Sequence, residues 1–305
     1  MNFTIKGSKL IEIKGDKLNE LKGDNVPEEL TLPEKVTSIG RYCELNGVKK
    51  LYINENCESL DDESFIRQYC LEEVIFPEDS KCKKIGKKAF SECTNLKRVV
   101  LPDSLEIIEE NAFEKCRSLT EISIPKKIER LEDFTFYGCT SLKTIDMPSV
   151  KHIGASCFEV CRSLTSLCLT NVNKIRFGAF SFCDSLVSVS TRCEDIEDEA
   201  FYQCANLRTA VIYAKELKQN LFHNCQNLKM VFCMNEVEKV LSRAFMNCSS
   251  LETVLFAKNV KEIEDEAFAN CISLKKLKLP KNCKYDAERI NAFYSSKGPI
   301  DITLY

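Results

Sequence analysis

Histidine is scarce in this chain, which has only His152 and His223 among its 305 residues. Histidine is the most frequent general base in enzymes, and neither residue lies in a G-x-S-x-G or H-E-x-x-H motif. The ten glycines show no phosphate-binding grouping. The acidic runs at 197–199 and 264–266 precede short segments whose positive ends favour carboxylates, so we interpret them as structural charges. The sequence therefore predicts no enzyme, no cofactor, no metal site and no small-molecule substrate.

Long apolar runs and basic tracts are also missing. No stretch approaches the roughly 18 apolar residues of a membrane-spanning helix, and residues 1–10 lack the apolar core of a signal peptide. The 43 basic and 46 acidic residues are mixed along the chain, and no basic tract would attract nucleic acid or an anionic membrane. We therefore expect no integral membrane segment, no nucleic-acid partner and a cytoplasmic location.

The chain is rich in one repeated pattern, A-F-x-x-C-x-[SN]-L, which recurs every 21 to 23 residues. One copy, at residues 112–119, reads AFEKCRSL and is followed by TEISIP. The phenylalanine of the pattern stands at Phe90, Phe113, Phe136, Phe158, Phe180, Phe201, Phe222, Phe245 and Phe268. A fixed period of about 20 to 29 residues with this leucine and isoleucine pattern is typical of a leucine-rich solenoid. Such a fold presents a long surface for binding and does not enclose a reaction.

Half of the 18 cysteines follow the same period. They stand three residues after each phenylalanine, at Cys93, Cys116, Cys139, Cys161, Cys183, Cys204, Cys225, Cys248 and Cys271. Cysteine is among the most buried residue types, and a small side chain suits a tight core. Stacked turns lie about 4.8 Å apart, whereas disulfides need Cβ atoms within about 3.8 Å and zinc needs converging thiols. We interpret these cysteines as core residues and expect a reducing compartment.

The apolar positions of one copy predict its local structure. Residues 112–119 have the apolar spacing of one face of a short helix. Residues 120–124 alternate as in a strand with one inward face, and Pro125 ends that strand. The predicted fold is an α/β solenoid, a right-handed curved superhelix of about 13 rungs. It would have one parallel sheet, with short helical segments on the opposite side.

The two ends depart from the pattern. Residues 3–5 and 10–13 flank Lys6-Gly7-Ser8-Lys9 as in a hairpin, and we expect it to cap the first rung because an open sheet edge invites aggregation. At the other end, residues 292–294 and 302–304 form a degenerate unit of the kind that caps a solenoid. The predicted organisation is an N-terminal capping hairpin at 1–27, leucine-rich repeats at 28–280 and a degenerate C-terminal capping repeat at 281–305.

The copies, joined by stretches such as Ser104-Leu105-Glu106-Ile107-Ile108-Glu109, closely resemble the BspA-like leucine-rich repeats over about residues 28–305. That family occurs in bacterial surface antigens and in proteins of protozoan parasites. The resemblance implies a solenoid, and it suggests adhesion or protein–protein recognition, sometimes of host or matrix proteins. It brings no catalytic residues. It also makes the cell surface the alternative to a cytoplasmic location.

The strand residues between inward positions are expected to face outward on the open sheet. Three successive strands carry apolar residues there, namely Val211, Phe232 and Leu255, and flanking outward positions add Tyr213, Met230 and Met234. Adjacent apolar and aromatic residues on an exposed face indicate an interaction site. A second set is Tyr52, Ile75 and Val100. The alternative is that such residues simply suit a β-strand.

These features predict a non-enzymatic scaffold that recognises a protein partner through the open sheet. The sequence does not identify that partner. A cell-surface adhesin that binds host or matrix proteins is the alternative, as is a structural spacer rod. An enzyme would need a non-repeat domain, and the roughly 30 non-repeat residues at the N-terminus are too few for one.

Overall fold

The computed structural model describes residues 2–5, 8–14, 17–21, 27–45, 47–234, 237–256, 260–285, 294–295, 298–299 and 301–304. The chain divides into two compact units, Met1–Val150 and Lys151–Tyr305. Each unit is a β-solenoid in which successive turns of the chain add strands to parallel sheets.

The first unit contains short strands at regular intervals. They are β1 (Asn2–Ile5), β2 (Ser8–Lys14), β3 (Lys17–Leu21), β4 (Glu29–Thr31), β5 (Ser38–Glu44), β6 (Lys50–Tyr52), β7 (Ser59–Leu60), β8 (Glu73–Ile75), β9 (Lys84–Ile85), β10 (Arg98–Val100), β11 (Ile107–Ile108), β12 (Glu121–Ser123), β13 (Arg130–Leu131) and β14 (Thr144–Asp146). β4, β6, β8 and β10 pair in parallel, as do β12 and β14, and these six strands are the open sheet of this unit. β5, β7, β9 and β11 form a second parallel sheet.

Two features modify this regular pattern in the first unit. β1 pairs with β2 and β2 pairs with β3, both antiparallel, whereas β3 pairs with β5 in parallel. Within residues 47–150, the open sheet is interrupted between β10 and β12. A cavity of about 490 Å³ is lined there by residues 98–101, 121–123 and 144–146.

The second unit repeats the arrangement. Its strands are β15 (His152–Ile153), β16 (Lys174–Ile175), β17 (Ser188–Ser190), β18 (Asp195–Ile196), β19 (Thr209–Ile212), β20 (Glu216–Leu217), β21 (Met230–Cys233), β22 (Lys239–Val240), β23 (Thr253–Phe256), β24 (Glu262–Ile263), β25 (Lys276–Leu279), β26 (Lys284–Tyr285), β27 (Tyr294–Ser295), β28 (Gly298–Pro299) and β29 (Asp301–Leu304). β17, β19, β21 and β23 pair in parallel, as do β25 and β29, and they form the open sheet of this unit. The second sheet consists of β15, β16 and β18, followed by β20, β22, β24 and β26.

The segments whose spacing predicts short helices are instead hydrogen-bonded turns, and no helix occurs in the described ranges. The Phe113 N–H donates to the Thr135 carbonyl of the next turn at 2.9 Å, while the Cys116 N–H donates to the Phe113 carbonyl at 3.2 Å. Asn111 and Lys115 have φ angles of 58° and 56°. A left-handed residue at every fourth position ends a run of helical dihedrals. The predicted helical segments are therefore absent there, and each unit has two sets of parallel strands where one sheet was expected.

The number of regular turns is also lower than predicted. The described residues form about 11 turns, whereas the sequence pattern indicates about 13 rungs. At Leu169 the expected strand is reduced to an isolated parallel bridge with Thr191. Lys6 and Gly7 of the predicted hairpin turn, and Ala292 and Phe293 of the predicted final unit, lie outside the described residues. The boundaries at 1–27, 28–280 and 281–305 therefore stay predictions.

The repeated phenylalanines form the core of each unit. In the first unit Phe65, Phe90, Phe113 and Phe136 are fully buried, with successive ring centroids 5.3 to 5.5 Å apart. In the second unit the column runs through Phe158, Phe180, Phe201, Phe222, Phe245 and Phe268 at 5.0 to 5.6 Å. These spacings lie within the favourable range for offset aromatic stacking. Each ring is thus covered by the ring of the adjacent turn.

The repeated cysteines connect neighbouring turns through their thiols. The Cys116 Sγ donates to the Phe90 carbonyl and the Cys204 Sγ to the Phe180 carbonyl, each at 3.2 Å. The same bond, at 3.0 to 3.3 Å, is made by Cys93, Cys139, Cys183, Cys225, Cys248 and Cys271. All 18 cysteines are thiols. The core interpretation is confirmed, but the role of the thiol as a hydrogen-bond donor was not apparent from the sequence.

A strained backbone position in these turns gives a first testable prediction. Val160 has a φ of 64°, a conformation that is unfavourable for a β-branched residue. The equivalent Asn224, Asn247 and Asn270 tolerate it, and each successive side-chain amide donates to the preceding one at 2.8 Å. We expect Val160→Asn to raise the free energy of unfolding by about 1 kcal/mol, measured by urea denaturation. The buried Val189→Asn is the control and should lower it; a loss of stability in Val160→Asn would contradict the assignment of strain.

Candidate functional site

Val211, Phe232 and Leu255 lie in one row on the open sheet of the second unit. The strand register pairs Val211 with Phe232, and Phe232 with Leu255, across β19, β21 and β23. Leu255 is 51% exposed, while Val211 and Phe232 are half-buried. The alternate residues of these strands, such as Val231, are buried in the core. Parallel register therefore brings together side chains that are more than 20 residues apart in the sequence.

Three further residues extend this row along the strands. Met230 is 39% exposed and Met234 is 51% exposed, whereas Tyr213 is half-buried. The Met234 N–H donates to the Ile212 carbonyl at 2.8 Å, which sets Met234 beside Tyr213 on the neighbouring turn. We call Val211, Tyr213, Met230, Phe232, Met234 and Leu255 the apolar patch.

The second predicted set lies on the open sheet of the first unit. Register pairs Tyr52 with Ile75, and Ile75 with Val100. All three residues are half-buried. The Lys50 ammonium lies 5.3 Å from the centroid of the Tyr52 ring, so part of this row is covered by a cation. This row offers less accessible apolar surface than the apolar patch.

His223 lies among polar and aromatic side chains of the second unit. His223 is half-buried, with Nδ1 3.2 Å from the Asn220 Oδ1 and its ring edge-on to Tyr202. Burial lowers the pKa of His223. Within the ranges that the structure describes, no group of three or more His, Cys, Asp or Glu side chains could hold a metal ion. The same residues include no helix that could cross a membrane.

The sequence interpretation missed the charges that surround the apolar patch. Arg208 and Lys229 directly precede β19 and β21, Lys276 and Lys278 lie on β25, and all four are exposed. The signal in the sequence was the run Lys275-Lys276-Leu277-Lys278, in which lysines flank one inward leucine. Local sequence does not show whether such cations have acidic partners on neighbouring turns. The cations next to the open sheet differ between the two units in whether they form such ion pairs.

The fold and repeat define a leucine-rich-repeat protein. The model of the BspA type leucine rich repeat region matches six copies, over residues 22–94, 83–208 and 187–298. These ranges cover most of the chain, which belongs to this family. The resemblance inferred from the repeated pattern is thereby confirmed.

Two of the solved structures that are similar to this chain support the fold assignment. A leucine-rich repeat protein from Bacteroides ovatus is 19% identical, with a TM-score of 0.58 over 100% of this chain and 97% of that one. One from Eubacterium ventriosum is 20% identical, with a TM-score of 0.50 over 90% of this chain and 89% of that one. A leucine rich cell surface protein from Faecalibacterium prausnitzii is 22% identical, with a TM-score of 0.47 over 98% of each chain. No curated protein matches the chain.

Proposed function

We propose that the protein is a non-enzymatic scaffold that binds a protein partner through the apolar patch. The family supports the scaffold role, because leucine-rich repeats are typical of proteins that interact with other proteins. The observation that carries the proposal is the row of Val211, Phe232 and Leu255, which the register holds together on an accessible sheet face. Aromatic residues and methionine are enriched at the centres of protein interfaces.

The construction of this face suits binding. The patch residues project from strands whose other faces pack into the stacked core, as the buried Ala210, Val231 and Val254 show. A rigid surface loses little conformational freedom when a partner docks, so more of the interaction energy contributes to affinity. The long thioethers of Met230 and Met234 can adapt their shape to the partner.

The family also supports a second version of this function. BspA-type proteins are typically surface proteins, and the expectation of a cytoplasmic location receives no support from the family. We therefore propose a surface-exposed scaffold that binds host or matrix proteins as the second candidate function. A spacer rod is the remaining alternative, and it would not need an accessible apolar patch.

Substitution of Phe232 tests the proposed surface. We expect Phe232→Glu to weaken capture of a protein partner from lysate or matrix extract at least about thirty-fold, as at an interface hot spot. Phe177→Glu is the matched control, because Phe177 is 47% exposed in the same unit and lies outside the open sheet. Circular dichroism and the melting temperature should be nearly unchanged in both variants. Undiminished capture by Phe232→Glu would reject the apolar patch as the binding surface.

A further inference from the structure

Four cations lie next to the apolar patch in the second unit. Arg208 and Lys229 directly precede β19 and β21, and the Lys229 N–H donates to the Arg208 carbonyl at 2.8 Å, so they are neighbours on adjacent turns. Lys276 and Lys278 are exposed on β25, where they alternate with buried leucines. β25 lies beside β23, which carries Leu255. The patch is therefore bordered by positive charge on two sides.

The corresponding cations of the first unit are neutralised by carboxylates of neighbouring turns. The ion pairs are Lys49–Glu28 at 2.6 Å, Lys97–Glu72 at 2.6 Å, Lys50–Glu73 at 3.6 Å and Arg98–Glu73 at 3.9 Å. Lys49 and Lys97 directly precede β6 and β10, as Arg208 and Lys229 precede β19 and β21. The same positions of the repeat thus serve internal ion pairing in the first unit.

The four cations of the second unit have no such partner among the described residues. Glu252 follows Lys229 on the next turn, and Asp301 is the register partner of Lys276, yet neither carboxylate forms an ion pair with these lysines. A cation without an internal partner remains available to a carboxylate brought by a ligand. Such charge-assisted hydrogen bonds are about twice as strong as neutral ones. Complementary charge also speeds encounter and aligns the partner.

From this arrangement we propose that the second unit binds an acidic segment of a partner protein, in which aspartate or glutamate flanks large apolar side chains. The apolar side chains contact the row of Val211, Phe232 and Leu255, and the carboxylates contact Lys229, Arg208 and the lysines of β25. The proposal rests on the proposed function, because it specifies the chemistry of the partner for the same surface.

The observations favour a protein segment over a nucleic acid. The centre of the surface is mainly aliphatic and thioether, with Phe232 and Tyr213 as its aromatic members, whereas single-stranded nucleic acids bind on series of aromatic stacking platforms. Carboxylates interspersed with apolar side chains match both the charge and the apolarity of this face.

The test uses synthetic peptides as probes. One fluorescein-labelled peptide of about 12 residues, extended over several turns, alternates Asp or Glu with Leu and Phe; its control replaces every acid by Lys. Fluorescence polarisation with the full chain should show at least about tenfold tighter binding of the acidic peptide, weakened by added salt. Lys229→Glu/Lys278→Glu should weaken that binding about tenfold. Lys97→Glu, on the open sheet of the first unit, should leave it unchanged.

The outcomes separate this proposal from the one it rests on. If Phe232→Glu abolishes partner capture while the acidic and basic peptides bind equally, the apolar patch stands and the acidic partner is rejected. If neither Phe232→Glu nor Lys229→Glu/Lys278→Glu weakens binding of the protein partner or of the acidic peptide, both proposals are rejected. If a single-stranded oligonucleotide binds more tightly than the acidic peptide and displaces it, the surface is a nucleic-acid site and the proposal is overturned.

Discussion

Replacing Phe180 by alanine is expected to lower the free energy of unfolding by about 3–5 kcal/mol. Phe180 is fully buried, and its ring lies between those of Phe158 and Phe201, with centroids 5.3 and 5.5 Å away. Truncation removes the ring and leaves a cavity between two flat neighbours that are held apart by the turn-to-turn hydrogen bonds. Because those bonds oppose collapse of the cavity, we expect a loss in the upper part of this range. Urea denaturation followed by circular dichroism measures it.

Phe177→Ala is the control for this experiment, because Phe177 belongs to the same unit and is 47% exposed. Its truncation should change the free energy of unfolding by less than about 1 kcal/mol. A loss below about 1 kcal/mol in Phe180→Ala would mean that the phenylalanine column does not stabilise the fold. Because a repeat contacts only its neighbours, the variant should also begin to unfold in the second unit.

The second large effect is expected at alkaline pH, where the buried thiols destabilise the fold. Burial raises the pKa of Cys93 and Cys233 to about 12. Burial also raises the pKa of Cys116, Cys183, Cys204 and Cys248 well above the ordinary value. In the unfolded chain a thiol ionises near pH ~8.5. The folded state keeps these protons while the unfolded state releases them, so the stabilisation is complete below about pH 8.5 and is lost as the pH rises towards the folded pKa.

The size of the effect follows from the number of thiols. Each one removes about 1.4 kcal/mol of stability per pH unit above the unfolded pKa. Summed over several thiols, this loss exceeds a total stability of about 5–15 kcal/mol within one to two pH units. We therefore expect cooperative unfolding at about pH 9.5–10.5, followed by circular dichroism.

Single cysteine variants isolate this contribution from those of lysine and tyrosine. Cys204→Ala should reduce the slope of unfolding free energy against pH by about 1.4 kcal/mol per pH unit above about pH 9, whatever its stability at neutral pH. The exposed Val187→Ala, which removes no thiol, should keep the slope of the unaltered protein. Equal slopes for Cys204→Ala and the unaltered protein, or a native spectrum above about pH 12, would contradict the account.

Much of the fold could be predicted because parallel stacking converts a sequence period into spatial columns. Phe113 and Phe136 are equivalent in the repeat, so stacking places one ring on the other, and the same logic places Val211 beside Phe232. The turns could not be distinguished from helices, because both structures place apolar side chains at the observed spacing. The turns differ from helices in the left-handed backbone at residues such as Lys115 and Val160. The side chains of these residues give no signal of that conformation.

The charges around the apolar patch illustrate the limit for the site. Lys97 and Glu72 are 25 residues apart, and their ion pair depends on the reach of two flexible side chains between turns. Lys229 and Glu252 stand in a similar sequence relation without forming such a pair. In both cases the sequence offers one lysine and one glutamate. Only the spatial arrangement shows which cations remain available.

The bonds from eight repeated cysteine thiols to the phenylalanine carbonyl of the preceding turn have a consequence for the evolution of such chains. Residues 90–112 begin at one repeated phenylalanine and end just before the next, so their deletion would join Ala89 to Phe113 with the order of turns preserved. Each surviving thiol would find an equivalent acceptor on its new neighbour. Unequal recombination between copies can therefore lengthen or shorten the protein by whole periods. Selection can then act on the outward side chains of each new copy separately.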